Sequence, residues 1–130
     1  MIFGIGTDIV SIERIRRALA RHGERFARRV LAENEWDGYQ QSARPEHFLA
    51  KRFAAKEAAA KAFGTGFSDG LMMRDIAVVN DSKGKPELCF SSRAITLCEE
   101  LGVGRHYLSI SDEREYAVAF VTFLCKDGEC

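Results

Sequence analysis

No apolar stretch in this 130-residue sequence approaches the roughly 18 residues that a membrane span requires, because charge interrupts each one within a few positions. A transmembrane protein is therefore not expected. The start, Met1-Ile2-Phe3-Gly4-Ile5-Gly6-Thr7-Asp8, has no basic segment and meets an aspartate before an apolar leader could form, so a cytoplasmic protein is expected. Net charge is missing too: nineteen Lys and Arg balance nineteen Asp and Glu, which removes any global electrostatic case for nucleic acid or an anionic membrane. The four cysteines, Cys89, Cys98, Cys125 and Cys130, stand in no CxxC or zinc-ligand spacing, and the three histidines do not cluster with them. Reduced thiols are expected rather than a disulfide framework. Repeats, linkers and low-complexity tracts are absent, and 46% hydrophobic with 29% charged residues is the mix of an ordinary folded domain. One domain over 1–125 with a loose tail at 126–130 is expected.

Residues 2–10 read as a first strand in which Gly4 and Gly6 permit close backbone approach. Ser11 fits an N-cap. Ile12, Ile15, Leu19, Phe26 and Val30 then keep a helical spacing, with Gly23 splitting the run in two. A short helix fits 34–41. Pro45 suits a first helical position, and the Ala-, Lys- and Phe-rich segment to Phe63 is the strongest helix, closed by Gly64. Runs at 75–80 and 87–91 flank turn residues and predict a hairpin; 93–101 predicts a helix ended by Gly102; 107–111 and 116–124 predict a second hairpin. Strands and helices segregate, which gives an α+β domain with helices packed on one face of a largely antiparallel sheet.

Asp8 is the first residue that asks for chemistry, since a carboxylate near the end of an apolar strand must be solvated, paired or bound to a cation; a backbone hydrogen bond at the strand-to-helix turn would equally satisfy it. Gly4-Ile5-Gly6 lacks the third glycine of a dinucleotide fingerprint. Glu57 and Lys61 share a helical face among small alanines, either as an ordinary surface pair or as part of a site in which Arg52, Lys56 and Lys61 hold phosphate oxygens beside a hard cation. Charge is most uneven between 14 and 29. At about 100° per residue, Arg14, Arg17, Arg21, Arg25 and Arg28 project within roughly 80° of one another, a stripe whose common phase is lost if Gly23 breaks the helix. A solvated face, an acidic protein helix and nucleic acid all fit the stripe, while the lack of interleaved aromatics disfavours a platform for stacking single strands.

Taken together, Gly4-Ile5-Gly6-Thr7-Asp8-Ile9-Val10, Phe48-Leu49-Ala50-Lys51-Arg52-Phe53-Ala54-Ala55-Lys56-Glu57-Ala58, Lys61-Ala62-Phe63-Gly64-Thr65-Gly66, Asn80-Asp81 and Gly84-Lys85-Pro86 give the sequence a resemblance to the holo-acyl-carrier-protein synthases, small phosphopantetheinyl transferases of bacterial lipid synthesis. The resemblance implies transfer of 4′-phosphopantetheine from coenzyme A to a serine of apo-acyl carrier protein, with release of adenosine 3′,5′-bisphosphate. It implies magnesium bound by Asp8 and Glu57, with Glu57 accepting the serine proton directly or through a metal-bound water and Lys61 offsetting charge on the departing phosphate. It further implies contacts of Arg52, Gly84, Lys85 and Pro86 with the nucleotide end, a ligand hydrogen bond from Ser109, and docking of the carrier's acidic helix on Arg14, Arg17, Arg21, Arg25 and Arg28. The family is typically a homotrimer with sites between subunits. One departure is Asp112, which follows Ser109-Ile110-Ser111 where many members carry His; it would repel phosphate, and no catalytic role is carried onto it. Two other classes compete: a nucleic-acid-binding module using the stripe without magnesium, and a metal-dependent phosphohydrolase that consumes coenzyme A with no carrier present.

Overall fold

The computed structural model describes residues 1–128. It opens with strand β1 (Ile2–Ser11), whose two glycines face the long helix α4 (Pro45–Phe63). A Cβ added at Gly4 would collide with the carbonyl oxygen of Ala62, and one at Gly6 with that of Ala58. Backbone therefore touches backbone, an approach that only a residue without a side chain on the strand allows. The helix answers with small residues: Ala54, Ala55, Ala58, Ala59 and Ala62 are buried.

Ser11 caps α1 (Ile12–His22), its hydroxyl accepting from the Arg14 amide at 3.3 Å. Gly23, with φ of 61°, then breaks the chain direction as expected and starts α2 (Glu24–Val30). A 3₁₀ turn over Glu33–Glu35 leads into α3 (Trp36–Gln41), so the segment expected as one short helix is two. Pro45 opens α4 and Gly64, with φ of 85°, closes it. There follow β2 (Ile76–Asn80), β3 (Pro86–Phe90), α5 (Arg93–Leu101), β4 (Val103–Asp112) and β5 (Tyr116–Cys125).

The elements form a mixed α and β molecule with antiparallel pairing, but the strands make two sheets, not one: β1-β5-β4, and the separate hairpin β2-β3. β3 packs beside β4 without entering its ladder. β4 also begins earlier than its apolar run suggests. Gly104 and Arg105 hide its first turn of pairing, where the register slips between Val103 and His106. α4 lies across β1 and β5, and Phe63 meets Phe123 edge-on at 4.7 Å between ring centroids. The opposite face of the sheet stays open, exposing Ile5, Ile9, Tyr107 and Phe120.

One charged residue sits at the centre of the packing. Lys56 is fully buried, donating to the Val30 carbonyl at 2.6 Å and to Glu35 Oε1 at 2.5 Å. Glu35 in turn accepts from the amides of Ala32 and Val78 at 2.8 and 3.0 Å. Lys56 thus points away from the phosphate-holding face where the sequence pattern placed it, because its helical position aims it at the end of α2. Burial pushes its pKa down, and the Glu35 carboxylate offsets part of that.

The cysteines depart in part from expectation. Cys89 and Cys98 are free, and burial pushes the Cys98 thiol up to about 11, far from thiolate chemistry. Cys125 is disulfide-bonded, which corrects the expectation of reduced thiols for that residue. Residues 126–128 form a short 3₁₀ turn tied by the Lys126 amide to the Gly102 carbonyl at 2.8 Å; the rest of the expected tail lies outside the described residues.

Gly6→Ala should cost about 3 kcal/mol in urea unfolding, since neither backbone can yield. Lys56→Met should cost about 3 kcal/mol because the buried Glu35 loses its Lys56 partner and keeps only Arg52, at 3.2 Å, as a counter-charge, and Glu35→Gln added to it should recover part of the loss.

Candidate functional site

Strand alternation carries Asp8 to the α4 side of β1, the side of Gly4 and Gly6, where its side chain is 18% exposed. Lys61, on the last turn of α4, donates from Nζ to the Thr7 carbonyl at 2.9 Å and stands 3.3 Å from Asp8 Oδ1. Glu57 precedes Lys61 by one helical turn on the same face. Partial burial raises the Glu57 pKa first, and the Asp8 charge raises it further, while Lys61 and Arg14 pull it back. Asp8, Glu57, Lys61 and Arg14 therefore share one electrostatic field. The contact that forced glycine onto β1 is what brings Asp8 to Glu57.

Among the described residues no group of three His, Cys, Asp or Glu side chains surrounds a metal position. Asp8 and Glu57 form a pair. A hard cation such as magnesium takes one or two protein carboxylates and completes its shell with water and substrate phosphate, so the oxygen-only donors present fit it.

The other expected site residues lie elsewhere. Arg52 has a side chain only 12% exposed; its guanidinium stacks 3.8 Å over the Phe48 ring, and Nε lies 3.2 Å from Glu35 Oε2 without hydrogen-bond alignment. Gly84 takes a left-handed turn with φ of 85° that presents Lys85 and Pro86. Lys85 and Pro86 border a cleft of about 370 Å³ whose other wall is Arg105, His106 and Tyr107 of β4. β4 and β1 are opposite edges of the sheet. Ser109 stands opposite Phe120 and Phe120 opposite Thr7, a row on the open face, whereas Asp8 faces α4. Within one chain, then, the structure unites Asp8, Glu57 and Lys61 and keeps them from Ser109, Lys85 and Pro86. Asp112 borders a small pocket with Arg44, His47 and Lys51, so its charge lies in basic company.

Gly23 divides the arginine stripe. Arg14, Arg17 and Arg21 lie on α1, and Arg25 and Arg28 on α2. Arg17 lies 3.5 Å from Glu13, and Arg28 bonds Glu24 at 2.8 Å. Where the two helices meet, Ile15, Phe26 and Phe53 line a shallow hollow flanked by Arg14 and Arg29. Arg29, in the same basic run, falls at about 100° per residue just outside the stripe on a continuous helix, and the break at Gly23 is what sets it beside Arg14.

Asp8 at the end of β1, Glu57 on the helix beside it and Lys61 one turn on form one charged cluster in a small mixed fold. The chain belongs to the 4′-phosphopantetheinyl transferase superfamily, whose family model matches residues 4–121. Among curated proteins it is 58% identical over 121 residues to the holo-[acyl-carrier-protein] synthase of Halorhodospira halophila, covering 93% of this chain and 96% of that one. Among solved structures, the holo-[acyl-carrier-protein] synthase of Neisseria meningitidis superimposes with a TM-score of 0.91 at 45% identity, covering 95% of this chain and 99% of that one. That of Helicobacter pylori in complex with coenzyme A gives 0.81 at 29% identity, covering 92% and 99%. No helix among the described residues is long and apolar enough to cross a membrane.

In ¹³C NMR the Glu57 carboxyl should titrate above its ordinary range. Asp8→Asn should move it down, by removing a like charge, and Lys61→Ala should move it up, by removing an opposite one.

Proposed function

We propose that this chain transfers 4′-phosphopantetheine from coenzyme A to a serine hydroxyl of apo-acyl carrier protein and releases adenosine 3′,5′-bisphosphate. The observation that carries the reading is the meeting of Asp8, Glu57 and Lys61 where β1 crosses α4, in a member of this superfamily. The serine oxygen bonds to the phosphorus on the pantetheine side of the pyrophosphate. The bond from that phosphorus to the bridging oxygen breaks, and its electron pair leaves on the bisphosphate. Glu57 is assigned to accept the serine proton, directly or through a water. Lys61, exposed and bonded to the Thr7 carbonyl and Asp8, is assigned to offset charge on the leaving phosphate. Asp8 and Glu57 would hold magnesium, which when bound supplies neutralisation and alignment of the pyrophosphate.

Arg52, Gly84, Lys85, Pro86 and Ser109 are assigned to coenzyme A. Lys85 and Arg105 face one another across the cleft, which suits a phosphorylated nucleotide end. Because Lys85, Pro86 and Ser109 lie beside the β4 edge or on the open face of the sheet, they meet Asp8 and Glu57 most simply across an interface between copies. The exposed Ile5, Ile9, Tyr107 and Phe120 supply the apolar surface that a homotrimer would bury. Arg14, Arg17, Arg21, Arg25 and Arg28 dock the carrier's acidic helix, and the Coulomb reach of Arg14 to Glu57 makes docking surface and site continuous. The reaction is assigned to the cytoplasm and to lipid synthesis.

The test is the intact mass of an apo-acyl carrier protein after incubation with coenzyme A, magnesium and this protein. A gain of one phosphopantetheine is expected, lost with a chelator and with Asp8→Ala; no gain on a competent carrier would overturn the reading. Arg14→Ala with Arg21→Ala should raise KM for the carrier by about tenfold or more at low salt, with the difference shrinking at high salt.

A further inference from the structure

Lys61 holds two oxygens of β1 at once. Its Nζ donates to the Thr7 carbonyl at 2.9 Å and stands 3.3 Å from Asp8 Oδ1. Among the described residues it is the cation paired with Asp8. The two partners are unequally fixed. Asp8 is set on the strand in register with Ala119 of β5 and its side chain is 18% exposed, whereas Lys61 reaches it over a flexible four-carbon stem and is 54% exposed. An ion pair open to water on one side is weakly held, so of the two it is the ammonium that can leave.

The position it occupies is the one a cation needs. Asp8 and Glu57 carry two negative charges, and Lys61 and Arg14 stand within Coulomb reach of Glu57 with two positive ones. With Lys61 on Asp8 the cluster is balanced, which leaves little field to draw a divalent ion, and one of the two carboxylates is already engaged. A pyrophosphate brought to the same place upsets that balance. It gives the ammonium a second anion to turn to, and turning frees the Asp8 oxygen.

We propose that Lys61 is a counter-ion gate on Asp8: a divalent cation must displace its ammonium to reach the carboxylate, so the ion binds weakly by itself and strongly once a pyrophosphate has drawn Lys61 away. Ion and donor therefore enter as partners, each raising the affinity for the other by the same factor. No covalent bond is made or broken in the exchange; one ion pair replaces another. The proposal rests on the transferase reading for the identity of the donor, while the exchange at Asp8 is read with the ion alone.

In the experiment, magnesium alone is titrated by calorimetry into the natural chain, Lys61→Ala and Arg14→Ala, the stoichiometry counting the folded chain and Asp8→Ala serving as the control for binding at this site. Lys61→Ala should tighten magnesium by about tenfold; Arg14→Ala, which removes an equal charge but no contact with Asp8, should tighten it by about twofold or less. Coenzyme A should then raise magnesium affinity more in the natural chain than in Lys61→Ala, which has no gate to open. In ¹⁵N NMR of the lysine side chains, the Lys61 ammonium should move toward the position of exposed lysines as magnesium is added, with the exposed Lys83 unmoved as the internal standard. Magnesium affinity unchanged or weakened by Lys61→Ala would overturn the proposal. So would equal tightening by Arg14→Ala, which would make Lys61 one charge in a field, or a Lys61 signal that stays in place at saturation. If magnesium binds none of these chains with or without coenzyme A, the proposal falls with the assignment of the ion to Asp8 and Glu57, and the gain of mass on the carrier decides the transferase reading separately.

Discussion

The backbone contact between β1 and α4 governs the rest of the structure. Gly4 and Gly6 have no side chains because the carbonyls of Ala62 and Ala58 occupy that space. With the two backbones in contact, a residue two positions further along the strand cannot point into a core; Asp8 comes up beside the last two turns of the helix, where Glu57 and Lys61 project. The glycines, the alanines and the carboxylates are one device. A larger residue at either glycine would lift the strand and separate the charges even if the fold survived.

A second fastening keeps the helix from turning under that strand. Lys56 reaches the end of α2 and Glu35 in one direction, and through Glu35 the amide of Val78 on β2. Glu57 is its neighbour in sequence and points elsewhere by about 100°. Any rotation of α4 that moved Glu57 would have to break the Lys56 pair in a place with no water to replace it. A buried ion pair is weak evidence of stability, but here it fixes an angle.

Most elements could be read in advance because their signals are local: a cap at Ser11, helix stops at Gly23, Gly64 and Gly102, a turn at 81–86. The separation of the strands into two sheets could not, since pairing depends on which edges the helix leaves accessible. Lys56 looked like a surface cation because its partner Glu35 lies 21 positions away on a turn that has no regular pattern. Asp8 stood out as a carboxylate in an apolar strand and Glu57 with Lys61 as a helical pair, and the resemblance supplied their roles; periodicity places Glu57 over Lys61 but says nothing of a strand above them.

The alternation of the sheet carries a last consequence. Thr7, Phe120 and Ser109 form a row across β1, β5 and β4 on the face away from α4, so Asp8, next in the chain after Thr7, must look the other way. A register slip of one residue would put Ser109 on the Asp8 face, but it would also turn Ala117, Ala119, Val121 and Phe123 out of the core. The fold cannot bring both sets of residues to one place in one chain without losing its interior. Under the transferase reading the donor must span two chemistries, a cationic cleft at the β4 edge and a carboxylate pair at the β1 edge. Copies joined through the open apolar face would let the edge of one complete the site of the next, and the same contact would remove Ile5, Ile9 and Phe120 from water.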